Sequence, residues 1–308
     1  MRIVFMGTPD YSVKTLQSLI NAGHNVEAVF AQPDKPVGRK QILTPPAVKV
    51  YAQELGIQVY QPNTLRDGTA FEIIKGINPE VIVVVAYGKI LPKEILDFPK
   101  YGCVNAHASL LPHLRGASPI QWSIVSGDEY SGVTTMLMDE GMDTGDILEV
   151  QKVKIGENET AEQLFDRLSV VSADLTVSTL KKLENGSITP LKQDEDKATY
   201  APIIKKDMAK LDFTKTAKEN ERAVRGFYSW PCAYFFLDGK RVKVIESRVS
   251  ESTDKKCGTV IKNDGTLIIA CGNGTSLELI TVQPEGSKAM SVSQWLCGHK
   301  IPLGTVAK

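Results

Sequence analysis

One stretch, Val81-Ile82-Val83-Val84-Val85-Ala86, is apolar throughout, and five of its six side chains are β-branched. Such a run is typical of a strand that is buried on both faces of a parallel sheet. Ligands of open α/β sheets bind beyond the carboxyl ends of the strands. The following residues, Tyr87 and Gly88, therefore lie where a binding crevice is expected.

Strand and helix patterns alternate on both sides of this stretch. Apolar strand runs are expected at Ile3–Phe5 and Asn25–Ala31, and helical spacing follows at Val13–Ile20 and Val48–Leu55. This alternation predicts a Rossmann-like, doubly wound α/β domain with a parallel sheet. The first turn is Gly7-Thr8-Pro9, in which the proline removes an amide that a pyrophosphate needs, so the sequence does not favour dinucleotide binding.

The sequence pattern changes after a long predicted helix, which begins at a capping box, Thr160 to Gln163. A polar segment follows, and then five short β-rich runs separated by Asp-Gly and Asn-Gly turns. This pattern predicts a small β-barrel of the OB type. We therefore expect a catalytic domain over residues 1–189, a linker over 190–204 and an OB-like domain over 205–308.

The composition is that of a soluble globular chain, with 42% apolar and 23% charged residues in 308. No apolar run approaches the roughly 20 residues that a membrane span needs, and no secretory leader is recognisable. The five cysteines are scattered and form no Cys-x-x-Cys pair. We expect reduced thiols, a cytoplasmic location, no membrane association and no metal site.

The zero net charge conceals an asymmetry between the two parts of the chain. Residues 1–202 carry 19 Lys and Arg against 25 Asp and Glu, whereas residues 203–308 carry 17 against 11. A basic second part on an acidic first part is expected if the second part meets a polyanion such as RNA. A chance partition of charge is the alternative.

The densest polar cluster begins at a predicted strand. A period of two places Asn105, His107 and Ser109 on one face of it. Downstream, residues 138–146 hold four acids and two glycines, a loop that can aim a carboxylate at an imidazole and fix its tautomer. Amide, imidazole and carboxylate together suit acyl transfer without a covalent intermediate. The neighbouring thiol of Cys103 leaves a nucleophilic alternative open.

These motifs resemble the folate-dependent formyltransferases. The resemblance rests on Asn105-x-His107, on the following Ser109-Leu110-Leu111-Pro112, and on Asp143 in an Asp-x-Gly-x-Asp-x-Gly-Asp loop. It covers nearly the whole chain. Further segments resemble the family members that act on tRNA, namely Gln32–Arg39, Val85–Pro92, Trp230-Pro231 and Gln283–Met290.

The resemblance implies transfer of a formyl group from 10-formyltetrahydrofolate to the α-amino group of initiator methionyl-tRNA, by a monomer. It assigns Asn105 and His107 to stabilising the oxyanion, and Asp143 to orienting His107. It assigns a folate-binding role to seven residues: Ser109, Leu110, Leu111, Pro112, Tyr87, Gly88 and Ile90. It assigns tRNA contacts to five basic residues: Lys35, Arg39, Lys40, Lys205 and Lys206. The basic loop that contains Arg39 is also consistent with a solvated surface segment.

Three other functions remain open at this point. A formyltransferase for a sugar nucleotide or a purine precursor shares the catalytic triad but needs no basic barrel. A folate deformylase replaces the amine with water. An RNA-binding protein that has lost catalysis is a third possibility, which the intact triad disfavours.

Overall fold

The computed structural model describes residues 1–38 and 40–308. The chain forms two compact units. The first contains residues 1–119, 130–154 and 165–201, and the second contains residues 120–129, 155–164 and 202–308. Arg39 lies outside the described residues.

The part of the chain before residue 202 alternates strands and helices, as the sequence predicts. Its strands are β1 Arg2–Gly7, β2 Asn25–Phe30, β3 Lys35–Val37, β4 Ile42–Thr44, β5 Gln58–Tyr60, β6 Val81–Val85, β7 Cys103–His107, β8 Arg115–Gly116, β9 Tyr130–Leu137, β10 Ile147–Lys154 and β11 Tyr200–Ala201. Its helices are α1 Asp10–Asn21, α2 Ala47–Glu54, α3 Thr69–Ile77, α4 Lys93–Leu96, α5 Pro119–Ser126 and α6 Ala161–Glu184.

The central sheet of the first unit has seven strands in the order β10-β9-β7-β6-β1-β2-β5. The five strands from β7 to β5 are parallel, whereas β9 and β10 are antiparallel to their neighbours. All five residues of β6 are buried. The predicted doubly wound sheet is confirmed, and it carries an antiparallel edge that the sequence pattern did not show.

Helices cover both faces of this sheet. On one face, Val4 and Ile82 pack into a core cluster with Ile74 of α3 and Ile95 of α4. On the other face, the Ser12 hydroxyl of α1 donates to the Val85 carbonyl at 2.6 Å. Burial of strands from both sides explains why their sequence is apolar without alternation.

The second unit adds the elements β12 Tyr234–Leu237, β13 Lys240–Ser250, β14 Val260–Lys262, β15 Leu267–Ala270, β16 Ser276–Pro284, β17 Met290–Ser291, α7 Ala217–Gly226 and α8 Val292–Gly298. The strands pair antiparallel in the order β12-β13-β16-β15-β14, with β17 on β16. All five predicted β-rich runs are strands. The predicted β-rich second part is therefore confirmed as a domain with an antiparallel sheet.

The last residues of the chain join the two outer strands of that sheet. The Val260 amide of β14 donates to the Thr305 carbonyl at 2.8 Å, and Ala307 pairs with Gly258. On the other side, Phe236 of β12 and Lys308 exchange both backbone hydrogen bonds. Because these backbone hydrogen bonds pair both outer strands, few backbone N–H and C=O groups at the edges of the sheet are unpaired among the described residues.

The polar segment that the sequence predicts to be a linker belongs to the first unit up to Ala201. Leu191 pairs with Ile147 of β10, and β11 pairs in parallel with β8. The composition of the segment is polar because it lies on the surface, yet its backbone and several side chains are hydrogen-bonded. The boundaries at residues 189 and 205 stay predictions.

Within the described part of the chain, no helix has both the length and the apolar character that crossing a bilayer requires.

Candidate active site

The strand β7 carries two of the predicted catalytic side chains near its carboxyl end. In the register of the sheet, Asn105 lies beside Val84 of β6 and opposite Met136 of β9, and His107 lies opposite Thr134. Asn105 is half-buried, and no side-chain hydrogen bond within residues 1–38 and 40–308 involves its amide. A polar group that is partly buried and unpaired is available to a ligand.

His107 is buried, and one of its ring nitrogens is fixed by the backbone. Nε2 lies 3.0 Å from the carbonyl oxygen of Leu114. Because a carbonyl only accepts, Nε2 carries the proton of this hydrogen bond, and in the neutral ring Nδ1 carries a lone pair. Nδ1 lies 3.7 Å from Oδ2 of Asp143.

Asp143 is a neighbour of His107 but forms no hydrogen bond with its Nδ1, because 3.7 Å is longer than a hydrogen bond. Its closest hydrogen bond is a different one, since Oδ2 accepts from the Gly116 amide at 2.7 Å. The three predicted catalytic residues thus lie in one unit, with His107 and Asp143 in proximity. The backbone carbonyl of Leu114, which the sequence analysis did not identify, shares in orienting the ring.

The loop that holds Asp143 has a tightly constrained backbone. Asp143 has φ of 56°, in the left-handed region that few non-glycine residues adopt. At Gly145 a Cβ atom would lie 1.7 Å from the Leu137 carbonyl oxygen, so only glycine fits. Asp139 closes the loop by accepting from the Thr144 hydroxyl at 2.6 Å. The glycines and acids of this segment thus serve its shape as well as its chemistry.

Cys103 lies two residues before Asn105 in β7 and so shares that face of the strand, but apolar side chains cover it. Its side chain is 1% exposed and packs in the apolar core of the first unit. The Sγ atom donates to the Ile95 carbonyl at 3.5 Å. Burial raises the pKa of this thiol far above its ordinary value, which keeps it protonated and unreactive. The structure therefore removes the nucleophilic alternative that the sequence left open.

The residues after β7 form a hydrogen-bonded turn. Ser109 donates its hydroxyl to the His113 carbonyl at 2.6 Å, and the Ser109 carbonyl accepts from the Thr134 hydroxyl at 2.7 Å. The same Thr134 oxygen accepts from the Leu111 amide at 3.1 Å. The hydroxyl of Ser109 is thus engaged inside the turn. Leu110 and Pro112 are half-buried members of the same turn.

The other predicted folate-binding residues follow β6. Tyr87 is buried, and its hydroxyl has no hydrogen-bond partner within residues 1–38 and 40–308. Burial raises the pKa of this hydroxyl to about 12. The carbonyls of Tyr87 and Gly88 both accept from the side-chain amide of Gln32. Gly88 has φ of 79°, which favours glycine. Ile90 is 66% exposed and offers apolar surface beyond the strand end.

The predicted RNA-contacting residues are solvent-exposed where they are described. Lys35 lies in β3 of a two-stranded hairpin, and Lys40 lies in the turn that leads to β4. Val37, Ile42 and Leu43 of the same hairpin are more than half exposed. Lys205 and Lys206 are exposed residues of the second unit.

Two residues near Asp143 were not identified from the sequence. Arg115 has a fully buried side chain that pairs with Glu195, and it also donates to the side-chain oxygen of Gln193. Gln193 in turn donates to the carbonyls of Asp143 and Gly145. Nearly 80 residues separate Arg115 from Gln193, so no local spacing signals this contact.

Comparison with known proteins identifies the family. Residues 1–180 match the family model described as formyl transferase, and residues 203–300 match the formyl transferase C-terminal domain. The methionyl-tRNA formyltransferase of Lachnospira eligens is 49% identical over 313 aligned residues, which cover 99% of each chain. That of Caldanaerobacter subterraneus is 45% identical and is covered in full, as is this chain. The chain belongs to the methionyl-tRNA formyltransferase family. It is an enzyme of the transferase class, and the resemblance of the sequence to the formyltransferases is confirmed.

Solved structures that resemble this member of the methionyl-tRNA formyltransferase family show the same fold. An N-formyltransferase from Helicobacter canadensis, in complex with folinic acid and dTDP-3-aminofucose, has a TM-score of 0.68 at 20% identity. The alignment covers 92% of this chain and 98% of that one. HypX from Aquifex aeolicus, in complex with tetrahydrofolic acid, has a TM-score of 0.63 at 16% identity and is covered over 47% of its length. At such identities the likeness concerns the fold.

Metal-binding clusters were sought among the same described residues. In residues 1–38 and 40–308, no three His, Cys, Asp or Glu side chains are grouped so that they could hold a metal ion.

Proposed function

We propose that this enzyme transfers the formyl group of 10-formyltetrahydrofolate to the α-amino group of methionine on initiator methionyl-tRNA, as a cytoplasmic monomer. The product is N-formylmethionyl-tRNA for translation initiation. The observation that carries the proposal is the identity of 45–49% to curated methionyl-tRNA formyltransferases over both units of the chain. The sugar-nucleotide alternative is supported only by fold likeness at about 20% identity.

Asn105 binds the formyl oxygen in this proposal. Its unpaired amide can donate a hydrogen bond that strengthens as negative charge develops on that oxygen. The Val84 and Met136 pairings hold the backbone of Asn105 in the centre of a rigid sheet, so the donor is positioned before the substrate arrives.

His107 holds and relays the proton that the reaction moves. Attack by the amine nitrogen on the formyl carbon forms one C–N bond, and the bond to the donor nitrogen breaks. The amine loses a proton, which the lone pair on Nδ1 can accept because Nε2 is committed to Leu114. The Asp143 carboxylate, 3.7 Å from Nδ1, stabilises the resulting imidazolium until the proton passes to the donor nitrogen.

The residues proposed to hold the folate fit a flat, amphipathic donor. When bound, the folate supplies an activated formyl group. On the protein side, Ile90 offers exposed apolar surface, and the turn at Ser109–Pro112 follows directly after His107. Tyr87 and Gly88 set the backbone course at the end of β6. These residues bind and orient the donor next to Asn105.

The basic side chains are proposed to hold the tRNA. Lys35 lies in β3 and Lys40 in the turn before β4, and Arg39 precedes Lys40 in the sequence. Lys205 and Lys206 belong to residues 203–308, which carry 17 Lys and Arg against 11 Asp and Glu. Phosphates attract such exposed lysines and arginines without reading the sequence.

Transfer of labelled formyl to charged initiator tRNA tests the proposal. The parallel acceptors are uncharged tRNA, free methionine and a dTDP-amino sugar. We expect rapid formylation of charged tRNA alone. Faster transfer to the amino sugar contradicts the proposal and favours the sugar-nucleotide alternative. Release of free formate with no acceptor-dependent product favours a deformylase.

A further inference from the structure

The side-chain amide of Gln193 makes as many hydrogen bonds as a primary amide can. Nε2 donates to the carbonyl oxygens of Asp143 at 2.8 Å and of Gly145 at 2.7 Å. Oε1 accepts from Arg115 Nε at 3.1 Å and from another guanidinium nitrogen at 2.8 Å. Two donors and two acceptor positions exhaust its capacity.

Arg115 fixes which way this amide faces. A guanidinium only donates, so the Gln193 oxygen must face Arg115 and the nitrogen must face the Asp143 loop. Arg115 is itself immobilised, because its side chain is fully buried and makes two charge-assisted hydrogen bonds to Glu195 at 2.8 and 2.7 Å. Arg115 therefore keeps the two N–H donors of Gln193 directed towards the Asp143 loop.

The loop is held at both the backbone and the carboxylate of the same residue. Gln193 binds the Asp143 carbonyl, and the Gly116 amide, next to Arg115, binds the Asp143 carboxylate at 2.7 Å. Gly116 has φ of 113°, and a Cβ atom there would lie 2.8 Å from the Ala201 carbonyl oxygen. This backbone path thus requires glycine.

We propose that Gln193 is a positioning residue for formyl transfer, which holds the Asp143 loop so that its carboxylate stays beside His107. The inference rests on the proposed function of that site. Asp143 has a left-handed φ of 56°, a conformation that the surrounding structure must impose. The two hydrogen bonds from Gln193 flank Thr144 and restrain the turn on both sides. Misplacing a catalytic group by about 1 Å can lower turnover roughly 100-fold.

The Gln193→Glu variant distinguishes the proposed positioning of the Asp143 loop from hydrogen bonding to Arg115 alone. The introduced carboxylate has nearly the same shape and still accepts from Arg115, but it cannot donate to the loop carbonyls. Gln193→Ala removes both contacts. Gln151→Glu, at an exposed position of β10, makes the same chemical change away from the site and serves as the matched control.

Two measurements are made on each full-length variant. The first is kcat and KM for formylation of charged initiator tRNA. The second is amide hydrogen exchange of the peptide spanning residues 138–146, with the melting temperature recorded alongside. Exchange needs no substrate, so it tests the loop even if the proposed acceptor is wrong.

Both Gln193 variants are expected to lower kcat roughly 10- to 100-fold with little change in KM, and to speed exchange of the loop peptide. Gln151→Glu should match the parent. Near-parental kcat and loop exchange in Gln193→Glu overturn the inference, as does a loss of activity that follows only the unfolded fraction. A parent enzyme that fails on charged tRNA while loop exchange still responds contradicts the proposed function and leaves the positioning role intact.

Discussion

His107 illustrates how a single backbone contact determines the chemistry of a side chain. The Leu114 carbonyl engages Nε2, so Nδ1 is the ring nitrogen that is left with a lone pair. Asp143 lies on the Nδ1 side of the ring, with Oδ2 at 3.7 Å. Neither the tautomer nor the role of Leu114 follows from the spacing of the polar residues in the sequence.

Asn105→Asp tests whether the side-chain amide of Asn105 donates a hydrogen bond to the formyl oxygen. The change replaces an amide donor by a carboxylate of nearly the same shape, and it places negative charge where negative charge develops. We expect kcat to fall by roughly 100- to 1000-fold, with the affinity for charged tRNA almost unchanged. Asn158→Asp, at an exposed turn, is the control. Turnover of Asn105→Asp within a few-fold of the parent contradicts the assignment.

The cysteines give a second test at this scale. Burial raises the pKa of the Cys103 and Cys271 thiols, whereas Cys297 is exposed. We expect iodoacetamide to label Cys297 first at neutral pH and to leave Cys103 unmodified in the folded protein. Cys103→Ala should keep turnover within a few-fold of the parent when corrected for any loss of folded protein. Loss of all activity at an unchanged melting temperature would restore the nucleophilic alternative.

At the scale of elements, the sequence predicts those whose signal is local. The run at Val81–Val85 predicts a buried strand because burial on both faces requires apolar residues throughout. Asp238 and Gly239 predict a hairpin because both adopt positive φ, and they join β12 to β13. Thr160 marks the start of α6 through its reciprocal bonds with Gln163.

The remainder of the site depends on contacts between distant parts of the chain. Gln193 and Glu195 lie in a segment whose polar composition predicts a linker, yet both contact the buried Arg115. The antiparallel strand β9 is likewise not distinguishable from a parallel one by composition. The proposed catalytic residues came from motif resemblance, which reflects such distant contacts, whereas periodicity does not.

The helix α7 allows a stability prediction for one element. Thr216 accepts from the Glu219 amide at 3.2 Å, and Glu219 accepts from the Thr216 amide and hydroxyl, which completes a capping box. Thr216→Ala should lower the free energy of unfolding by about 1 kcal/mol, and Thr216→Ser should not. Chemical denaturation measures both. Equal stability of the two variants would contradict a capping role.

The same box has a pH dependence with a definite sign. Hydrogen bonds from Thr216 hold the pKa of Glu219 below its ordinary value. A carboxylate with a lowered pKa stabilises the folded state above its ordinary pKa, and this contribution is lost as pH falls through the lowered one. The stability difference between the parent and Thr216→Ala should therefore shrink below about pH 4.

Across the whole molecule, charge is divided between the two parts of the sequence. The excess of six basic residues in 203–308 and of six acidic residues in 1–202 cancel in the total. A net charge of zero therefore says little about partners, because a polyanion responds to the local field of one surface. The exposed lysines at 205 and 206 belong to the basic part.

Replacing Lys205 and Lys206 by alanine tests whether that basic part contributes to tRNA binding. Each lysine that neutralises a phosphate releases a counterion, so binding should weaken and the slope of log affinity against log salt should flatten by roughly 1 to 2. Lys14→Ala with Lys181→Ala removes the same charge from exposed positions of the first unit and should leave the slope unchanged. Binding of the three proteins to charged tRNA is measured over a series of salt concentrations. Equal slopes for the two double variants would show that Lys205 and Lys206 contribute only net charge. If binding by the parent does not depend on salt, phosphate contacts are excluded altogether.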